Sequence, residues 1–294
     1  MSQNSTTVLE EAEVSSVPSL EEQWLQIRLT DNKYALKVSF VREMISLGEM
    51  PVTPVPNLPS QIVGVINLRG SIVPLLDLRD VLGLTTMSEE IQSLLDMFDA
   101  RERDHVNWIN ELKASVEEGH EFKLTTDPHK CAFGKWYDEL MSDKVKHLAF
   151  TQGDIVMEHL LRELDQPHQT IHGIAERVAD LGSEGKQEQA LSLIENVKDT
   201  HLKSMVEIFA KMKEVVPRQR KQLAIVVEVD EQLIGLRVDA VDVVLNLKQD
   251  DIQPVESLGA ISSAVIGACR PDDSETVLIL DISTIVDLSG LPRL

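Results

Sequence analysis

The sequence predicts a multidomain protein of mixed α and β class, in which a pair of small β-barrels is interrupted by an inserted helical bundle. Three observations support this prediction. Both ends of the chain are rich in strand-forming residues, the two ends resemble each other, and the middle changes abruptly to helical spacing. A chain of 294 residues has room for roughly two domains. The predicted segments are a disordered tail at 1–21, a first β lobe at 22–85, a helical insert at 86–217 and a second β lobe at 218–294.

Each β lobe begins with a predicted hairpin and continues into further short strands. WLQIRL and YALKV flank a turn at Asp31-Asn32, and LAIVVEV and LIGLRV flank a turn at Asp230-Glu231. Regularly spaced short strands are typical of small barrels, and two related lobes predict one β domain built from both. The lobes align at Leu36 with Leu236, Val38 with Val238, Pro54 with Pro254, Gly64 with Gly267, and Asp77 with Asp281.

The charge and hydropathy of the chain exclude several classes of function. Acidic residues outnumber basic ones by 49 to 28, and a net charge of −21 repels nucleic acids and anionic membranes. No apolar run reaches the length of about 18 residues that a membrane span needs. The acidic N-terminus lacks the features of a secretory signal, so we expect a cytoplasmic protein. Neither lobe contains a histidine or a catalytic motif, so we do not expect an enzyme.

The insert reads as a series of helices. Thr86 and Glu89 have the spacing of a capping box, and the helix that they begin is predicted to run to Glu118, before Gly119. HKCAFGKWYDEL predicts a short helix, and residues 144–164 predict another. Pro167 is expected to end that helix or to begin a new one. The next helix is predicted to end at the glycines near 182–185. A last helix is predicted over 187–216, stopping at Pro217.

Three histidines and one cysteine of the insert predict a zinc site. His105 falls on the apolar stripe of the first helix, and His168 and His172 lie one turn apart on one face of a later helix. Together with Cys131 they supply the four nitrogen or sulfur ligands of a structural Zn²⁺ ion. Two alternatives stay open: each histidine is an ordinary surface or hydrogen-bonded residue, or His201 replaces His168.

The lobes resemble the CheW family, the adaptors of bacterial chemotaxis arrays. The resemblance is carried by NLRGSIVPLLDLR at 67–79 and by GLRVDAVDVVL at 235–245. It implies binding to the cytoplasmic domains of chemoreceptors and to the histidine kinase CheA, through a surface that includes Asn67, Arg69 and Gly70. The alternative for Arg69 is a structural ion pair with Asp77 or Asp80. A short loop usually joins the two lobes in this family, whereas residues 86–217 intervene here.

The insert resembles the chemoreceptor zinc-binding domain, or CZB domain. DHVNW at 104–108, HKCAFGKWY at 129–137 and PHQTIH at 167–172 carry this resemblance. It implies that the zinc ligands are His105, Cys131, His168 and His172. His129 matches no ligand position. The residues that match the motif but are expected only to pack around the site are Trp108, Phe133, Gly134 and Trp136.

Together the two resemblances imply a non-enzymatic adaptor whose insert senses zinc or oxidants. Because a zinc-bound thiolate is the form of cysteine that reacts with oxidants, Cys131 is expected to be the sensing residue, unless the zinc is purely structural and the sulfur is shielded and inert. The alternatives are a zinc-dependent enzyme and a metal-storage protein. A catalytic zinc keeps an open coordination position, which four protein ligands fill. Gln169 also stands where the glutamate of a His-Glu-x-x-His motif would be. One site in 294 residues is poor storage.

Overall fold

The computed structural model describes residues 21–48, 50–219, 222–254, 263–271 and 275–291. The predicted disordered tail at 1–21 lies outside these residues, apart from Glu21. Contacts divide the chain into two compact units, one formed by Met1–Leu84 with Gln222–Leu294 and the other by Thr85–Lys221. We call them the β unit and the helical unit. None of the described helices is both long and apolar enough to cross a membrane.

The regular elements follow one another along the chain as strands, then helices, then strands. The strands are β1 (Glu22–Leu29), β2 (Asn32–Lys37), β3 (Val41–Ser46), β4 (Ile62–Leu68), β5 (Ser71–Asp77), β6 (Leu223–Val229), β7 (Gln232–Val238), β8 (Ala240–Leu247), β9 (Gln253–Pro254), β10 (Val265–Cys269) and β11 (Val277–Leu280). The α-helices are α1 (Leu78–Val81), α2 (Met87–Glu118), α3 (Ala132–Ser142), α4 (Lys144–Thr151), α5 (Ile155–Ser183), α6 (Gln187–Val197), α7 (Lys203–Gln219) and α8 (Ile282–Leu288).

The β unit contains two sheets, and each sheet takes strands from both ends of the chain. The six-stranded sheet has the order β8-β1-β2-β11-β10-β9, and the five-stranded sheet has the order β3-β6-β7-β5-β4. The prediction of two β halves that flank a helical insert is confirmed. The detail of closed barrels is wrong, because within the described residues neither order returns to its first strand.

The hairpin of each half completes the sheet of the other half. Strand β2 lies parallel to β11, with Tyr34 opposite Leu278, and β7 lies parallel to β5, with Leu236 opposite Leu76. The hairpin β1–β2 also pairs with β8, and the hairpin β6–β7 pairs with β3. Because these hydrogen bonds cross between the two halves, neither half forms its full sheet from its own strands.

Positions that align between the two halves have the same structural role. Asp77 and Asp281 each cap a short helix by accepting a backbone N–H with the side chain. A β-carbon at Gly64 would lie 2.4 Å from the backbone oxygen of Thr53, and one at Gly267 would lie 2.7 Å from its nearest neighbour. A second segment therefore approaches both glycines closely, and the contact with backbone requires glycine at Gly64, whereas at Gly267 the nearest atom belongs to the Ile252 side chain.

The core of the β unit is aliphatic and encloses charged side chains as ion pairs. Burial of residues such as Ile27 and Leu236, both 0% exposed, supplies the hydrophobic driving force. At its edge Arg237 pairs with Asp77. Arg79 donates hydrogen bonds of 2.8 and 2.6 Å to the two carboxylate oxygens of Asp239.

In the helical unit, α2 has the predicted bounds. Thr86 and Glu89 form the predicted capping box, and Gly119 ends the helix in the left-handed conformation with φ of 74°. The expectation for Pro167 is wrong, because α5 runs through it without a break. Leu164 and Ile171 on either side of the proline are fully buried, so continuous packing outweighs the lost backbone hydrogen bond, a cost of about 3 kcal/mol.

The real helix boundary lies upstream of that proline. Gln152 and Gly153 have φ of 52° and 69°, which ends α4, and Asp154 caps α5 with its side chain. The last predicted helix is also divided, because a π-helical turn at Lys198–Leu202 separates α6 from α7. Pro217 lies inside α7 instead of stopping it. A single core that includes Phe98, Phe133 and Phe209 joins these helices.

Candidate metal centre

Three helices bring the four predicted ligands together. His105 lies on α2, His168 and His172 lie one turn apart on α5, and Cys131 stands at the N-cap of α3. One ligand atom from each residue lies within 4.8 Å of the corresponding atoms of the other three. The three histidines are 2–3% exposed, and Cys131 is half-buried. The cluster is therefore a site inside the bundle with one edge near solvent.

A backbone carbonyl fixes the tautomer of His105. The Nδ1 atom lies 2.7 Å from the carbonyl oxygen of Arg101, one turn earlier in α2. Because a carbonyl only accepts hydrogen bonds, Nδ1 carries the proton and the Nε2 lone pair is free. That Nε2 atom is buried and has no hydrogen-bond partner within the described part of the chain.

The other two imidazoles are held neutral. Burial, together with a smaller repulsive effect of the neighbouring His105, lowers the pKa of His168 to about 3 and the pKa of His172 to about 4. Burial likewise lowers the pKa of His105, against the opposing effect of the Arg101 carbonyl. At neutral pH all three rings therefore offer a lone pair. The Thr125 carbonyl opposes the lowering of the His172 pKa, but neither buried ring nitrogen of His172 has a hydrogen bond of normal geometry among the described residues.

The start of α3 positions the sulfur. Cys131 Sγ accepts the backbone N–H of Gly134 at 3.1 Å and lies 3.2 Å from Nε2 of His168. A β-carbon at Gly134 would lie 1.8 Å from the carbonyl oxygen of Pro128, so only glycine allows this turn. Burial raises the pKa of the Cys131 thiol, and the backbone N–H groups of Gly134 and Phe133 oppose that shift.

The donor set fits a zinc ion. Tetrahedral zinc with Zn–N near 2.0–2.1 Å and Zn–S near 2.3 Å places its ligand atoms about 3.3–3.8 Å apart. The four ligand atoms, all within 4.8 Å of one another, are close enough together for a single ion to lie among them. Buried imidazole nitrogens without partners are costly. A metal that accepts their lone pairs removes this cost, and the four donors leave no position for water.

Aromatic rings surround the cluster. The ring of Trp108 lies 4.9 Å from that of His172, and the ring of Phe133 lies 4.7 Å from that of His168. The Trp108 indole N–H donates to the carbonyl of Thr125 at 2.8 Å, which ties the segment before Cys131 to α2. The roles of Arg101 and Thr125 were not predicted, because they act through backbone carbonyls. For Arg101 the only sequence signal is its position one turn before His105.

The remaining histidines lie outside the cluster. His201 is partly exposed in the π-helical turn. The four others each contact a carboxylate: His120 with Glu111, His129 with Asp138, His147 with Glu158, and His159 with Glu163.

The predicted partner surface in the β unit is a tight turn between β4 and β5. Asn67 accepts the backbone N–H of Gly70 at 2.9 Å, and Arg69 adopts a left-handed φ of 52°. The Arg69 side chain is 80% exposed and pairs with Glu43 at 2.8 Å. Asp77, one of its two predicted structural partners, pairs instead with Arg237. The turn is thus built by Asn67 and Gly70 and presents Arg69 to solvent.

Fold and site together define a split β protein that carries a helical metal-site insert. A family model for the CheW-like domain matches residues 23–100 and 205–289, more than half of the chain, and the chain belongs to this family. The model for the chemoreceptor zinc-binding domain matches residues 105–179, inside the insert.

Individual relatives match only part of the chain. It is similar to a chemotaxis protein CheW of Rhizobium meliloti (strain 1021), with 29% identity over 79 residues, 27% of this chain and 50% of the relative. A probable chemotaxis protein CheW of Rhizobium etli is 34% identical over 71 residues, 24% of this chain and 44% of the relative. The chain thus spans about half the length of these relatives, or less. The crystal structure of the scaffolding protein TtCheW from Thermoanaerobacter tengcongensis aligns with a TM-score of 0.44 and 16% identity, over 94% of this chain and 99% of that one.

Proposed function

We propose that this protein is a non-enzymatic chemotaxis adaptor of the cytoplasm that couples chemoreceptors to the histidine kinase CheA. Its CheW-like part comprises 22–85 and 218–294, and the insert at 86–217 binds one Zn²⁺ ion. The observation that carries the proposal is the cluster of three buried imidazoles and one thiol within 4.8 Å, placed inside an otherwise CheW-like chain. The insert thereby adds a chemical input to an adaptor.

The adaptor role is supported by an exposed turn in the β unit. Asn67, Arg69 and Gly70 form a rigid corner whose arginine projects into solvent, where a partner can reach it. Arginine is among the residues enriched at protein interfaces. We assign these three residues to the surface that contacts the receptor or the kinase.

The zinc role is supported by the chemistry of the donor set. His105, His168 and His172 supply neutral imidazole nitrogens, and Cys131 supplies a sulfur that accepts a hydrogen bond from the backbone N–H of Gly134. Bound zinc would supply a positive charge that keeps Cys131 deprotonated. A four-ligand site of this type is closed to substrate, which favours a sensor over a zinc hydrolase.

We assign the sensing of oxidants to Cys131, which is half-buried and so within reach of small molecules. Its thiolate attacks one oxygen of a peroxide, the O–O bond breaks, the sulfur loses two electrons to become a sulfenic acid, and water leaves after taking up a proton. The sulfenic acid is a poorer ligand than the thiolate. Loss of one of four ligands weakens metal binding and allows the start of α3 to shift. This shift is the conformational change that alters the binding of a partner protein.

An oxidant titration tests the sensing role. Zinc-loaded protein is treated with hydrogen peroxide or hypochlorous acid, and zinc release, cysteine oxidation and binding to CheA are followed together. Cys269 is an internal control, because it is only 3% exposed and lies outside the cluster of metal-binding side chains. We expect Cys131 to react first with release of zinc. The sensing role is contradicted if Cys269 reacts first, or if oxidation of Cys131 changes neither zinc binding nor partner binding. In either case the zinc is purely structural.

The adaptor role is tested by binding. Purified CheA and receptor cytoplasmic fragments are mixed with the zinc-loaded and the chelator-treated protein, and ternary complexes are measured by sedimentation. We expect assembly in both states, with an affinity that depends on zinc. Absence of any complex contradicts the adaptor role, and hydrolase activity that requires zinc would favour the enzyme alternative.

A further inference from the structure

A long groove in the helical unit is lined by two helix faces. It has a volume of about 1010 Å³ and lies between the C-terminal half of α2 and the second half of α5. The α2 wall is formed by Leu112, Ser115, Val116 and Gly119, and the α5 wall is formed by Ala175, Val178, Ala179 and Gly182. Both walls have the i, i+3, i+4, i+7 spacing that a helix presents to a packed neighbour.

The floor of the groove consists of residues such as Leu112 and Val178 that are buried in the bundle core, while Ala179 and Gly182 are exposed along it. Gln187 at the start of α6 also lines the groove and donates a hydrogen bond to the carbonyl of Val116 at 2.7 Å. Ser115, Ala179 and Gly182 are small, which permits the close approach of another backbone. The groove volume of about 1010 Å³ is comparable to that of about two turns of an α-helix with its side chains.

The rim of the groove is strongly acidic. Glu117, Glu118, Glu121 and Glu176 line it, and no lysine or arginine is found among its described lining residues. A complementary ligand must place an apolar stripe on the floor and positive charges along the edges. A second copy of this chain is a poor occupant, because each copy carries a net charge of −21.

The groove also adjoins the metal centre. Phe122 lines the groove, and its ring lies 5.0 Å from that of Trp108. The Trp108 ring in turn lies 4.9 Å from the ring of His172. An occupant of the groove would contact Phe122, which contacts Trp108, and Trp108 contacts the proposed zinc ligand His172.

We infer that this groove binds an amphipathic helix of a partner protein, with an apolar stripe flanked by lysines and arginines. Laying such a helix into an apolar groove is a common mode of peptide recognition. This docking surface is distinct from the adaptor surface around Arg69 and goes beyond the proposed function. It holds whether the insert senses zinc, oxidants or neither.

The test uses the full chain and a synthetic helical peptide with leucine at i, i+3, i+4 and i+7 and lysine elsewhere. A peptide with the same leucines and glutamate in place of lysine is the control. Calorimetry should show binding of the lysine peptide only. The double variant Glu117→Lys, Glu176→Lys should weaken it by about tenfold or more. Ala179→Trp, which fills the groove and leaves the charge unchanged, should do the same.

A matched double variant separates the groove from general electrostatics. Glu163→Lys with Glu207→Lys makes the same change in net charge at exposed positions that do not line the groove. It should bind the peptide with nearly wild-type affinity. Circular dichroism and zinc content of each variant establish that the bundle is intact.

Three results would overturn the inference. The lysine peptide fails to bind, or the groove variants bind it as well as the matched control does. Alternatively, sedimentation shows that the wild-type protein is a dimer that Ala179→Trp dissociates, which makes a second copy the occupant. Each of these results leaves zinc stoichiometry and CheA binding unaffected, so failure here is distinguishable from failure of the proposed adaptor function.

Discussion

The β unit and the helical unit both bury ionisable side chains, but they differ in whether those side chains have partners within the protein. In the β unit Asp77 pairs with Arg237, and Arg79 pairs with Asp239 through two hydrogen bonds. These charges compensate each other inside the fold. A group of this kind requires nothing from outside the protein.

In the helical unit the buried groups are three imidazoles around one thiol. Nε2 of His105 and both ring nitrogens of His172 have no hydrogen-bond partner among the described residues, and burial keeps the rings neutral. No charged group of opposite sign lies within the described cluster to compensate these nitrogens. Buried polar groups that the protein itself satisfies thus stabilise a fold, whereas unsatisfied imidazole nitrogens gathered near one thiol indicate a ligand.

The largest expected effect concerns the integrity of the β unit. Residues 22–85 expressed alone should not fold, because β1–β2 and β5 would lack their partners β11 and β7. In contrast, deletion of 86–217 with a short linker should leave a folded β protein. Cooperative urea unfolding measures both. An unfolded deletion variant under several linker lengths contradicts the insertion model.

Next in size is the loss of one partner of a buried ion pair. Asp77→Ala should lower the free energy of unfolding of the β unit by about 3–5 kcal/mol, because Arg237 is left buried without its partner. Asp77→Asn, which keeps a helix-capping acceptor, separates the capping contribution from the charge. Zinc content should be unchanged in both. If Asp77→Ala lowers the free energy of unfolding by no more than the loss of an exposed ion pair does, water compensates the charge of Arg237 in the variant.

A comparable stabilisation, confined to the helical unit, is expected from bound metal. Free zinc at a thousandfold excess over its dissociation constant should raise the free energy of unfolding by about 4 kcal/mol. Replacing any ligand by alanine (His105, Cys131, His168 or His172) should abolish that increase. His201→Ala should retain it. Calorimetric unfolding with zinc and with chelator measures the effect, and the opposite result for His168 and His201 would reverse the ligand assignment.

A smaller effect is expected from the turn that positions the sulfur. In Gly134→Ala the new β-carbon collides with the Pro128 carbonyl, so the N–H that supports Cys131 Sγ moves away. Zinc affinity should fall by about tenfold to a hundredfold, the usual cost of losing a contact behind a ligand. Gly173→Ala is the control, because its β-carbon meets open space. Competition with a chromophoric chelator gives the affinities.

The smallest effect on stability is expected at the exposed turn. Arg69→Glu removes only a surface pair with Glu43 and should leave the free energy of unfolding nearly unchanged. It should nevertheless weaken the ternary complex with receptor and CheA. If the variant is folded and forms the ternary complex normally, the assignment of Arg69 to the partner surface is wrong.

The sequence was sufficient wherever the decisive interactions are local. Thr86 and Glu89 cap a helix three residues apart, and His168 and His172 share a face because they are one turn apart. The motif around Cys131 is likewise a short contiguous stretch, so it can be read directly from the chain. Prolines were the main local failure. Pro167 and Pro217 are tolerated inside helices because burial along the rest of each helix outweighs a lost hydrogen bond.

By itself, the sequence determined that two related β halves flank a helical insert and which four side chains can hold a metal. Only the tertiary structure decided which strands pair, because hydrogen bonds between β2 and β11 or β5 and β7 join segments too distant in the chain for local patterns to specify. It also decided the partners of Arg69 and Arg237, which depend on register across the sheets. The groove between α2 and α5 emerged in the same way, since it exists only after the helices have packed.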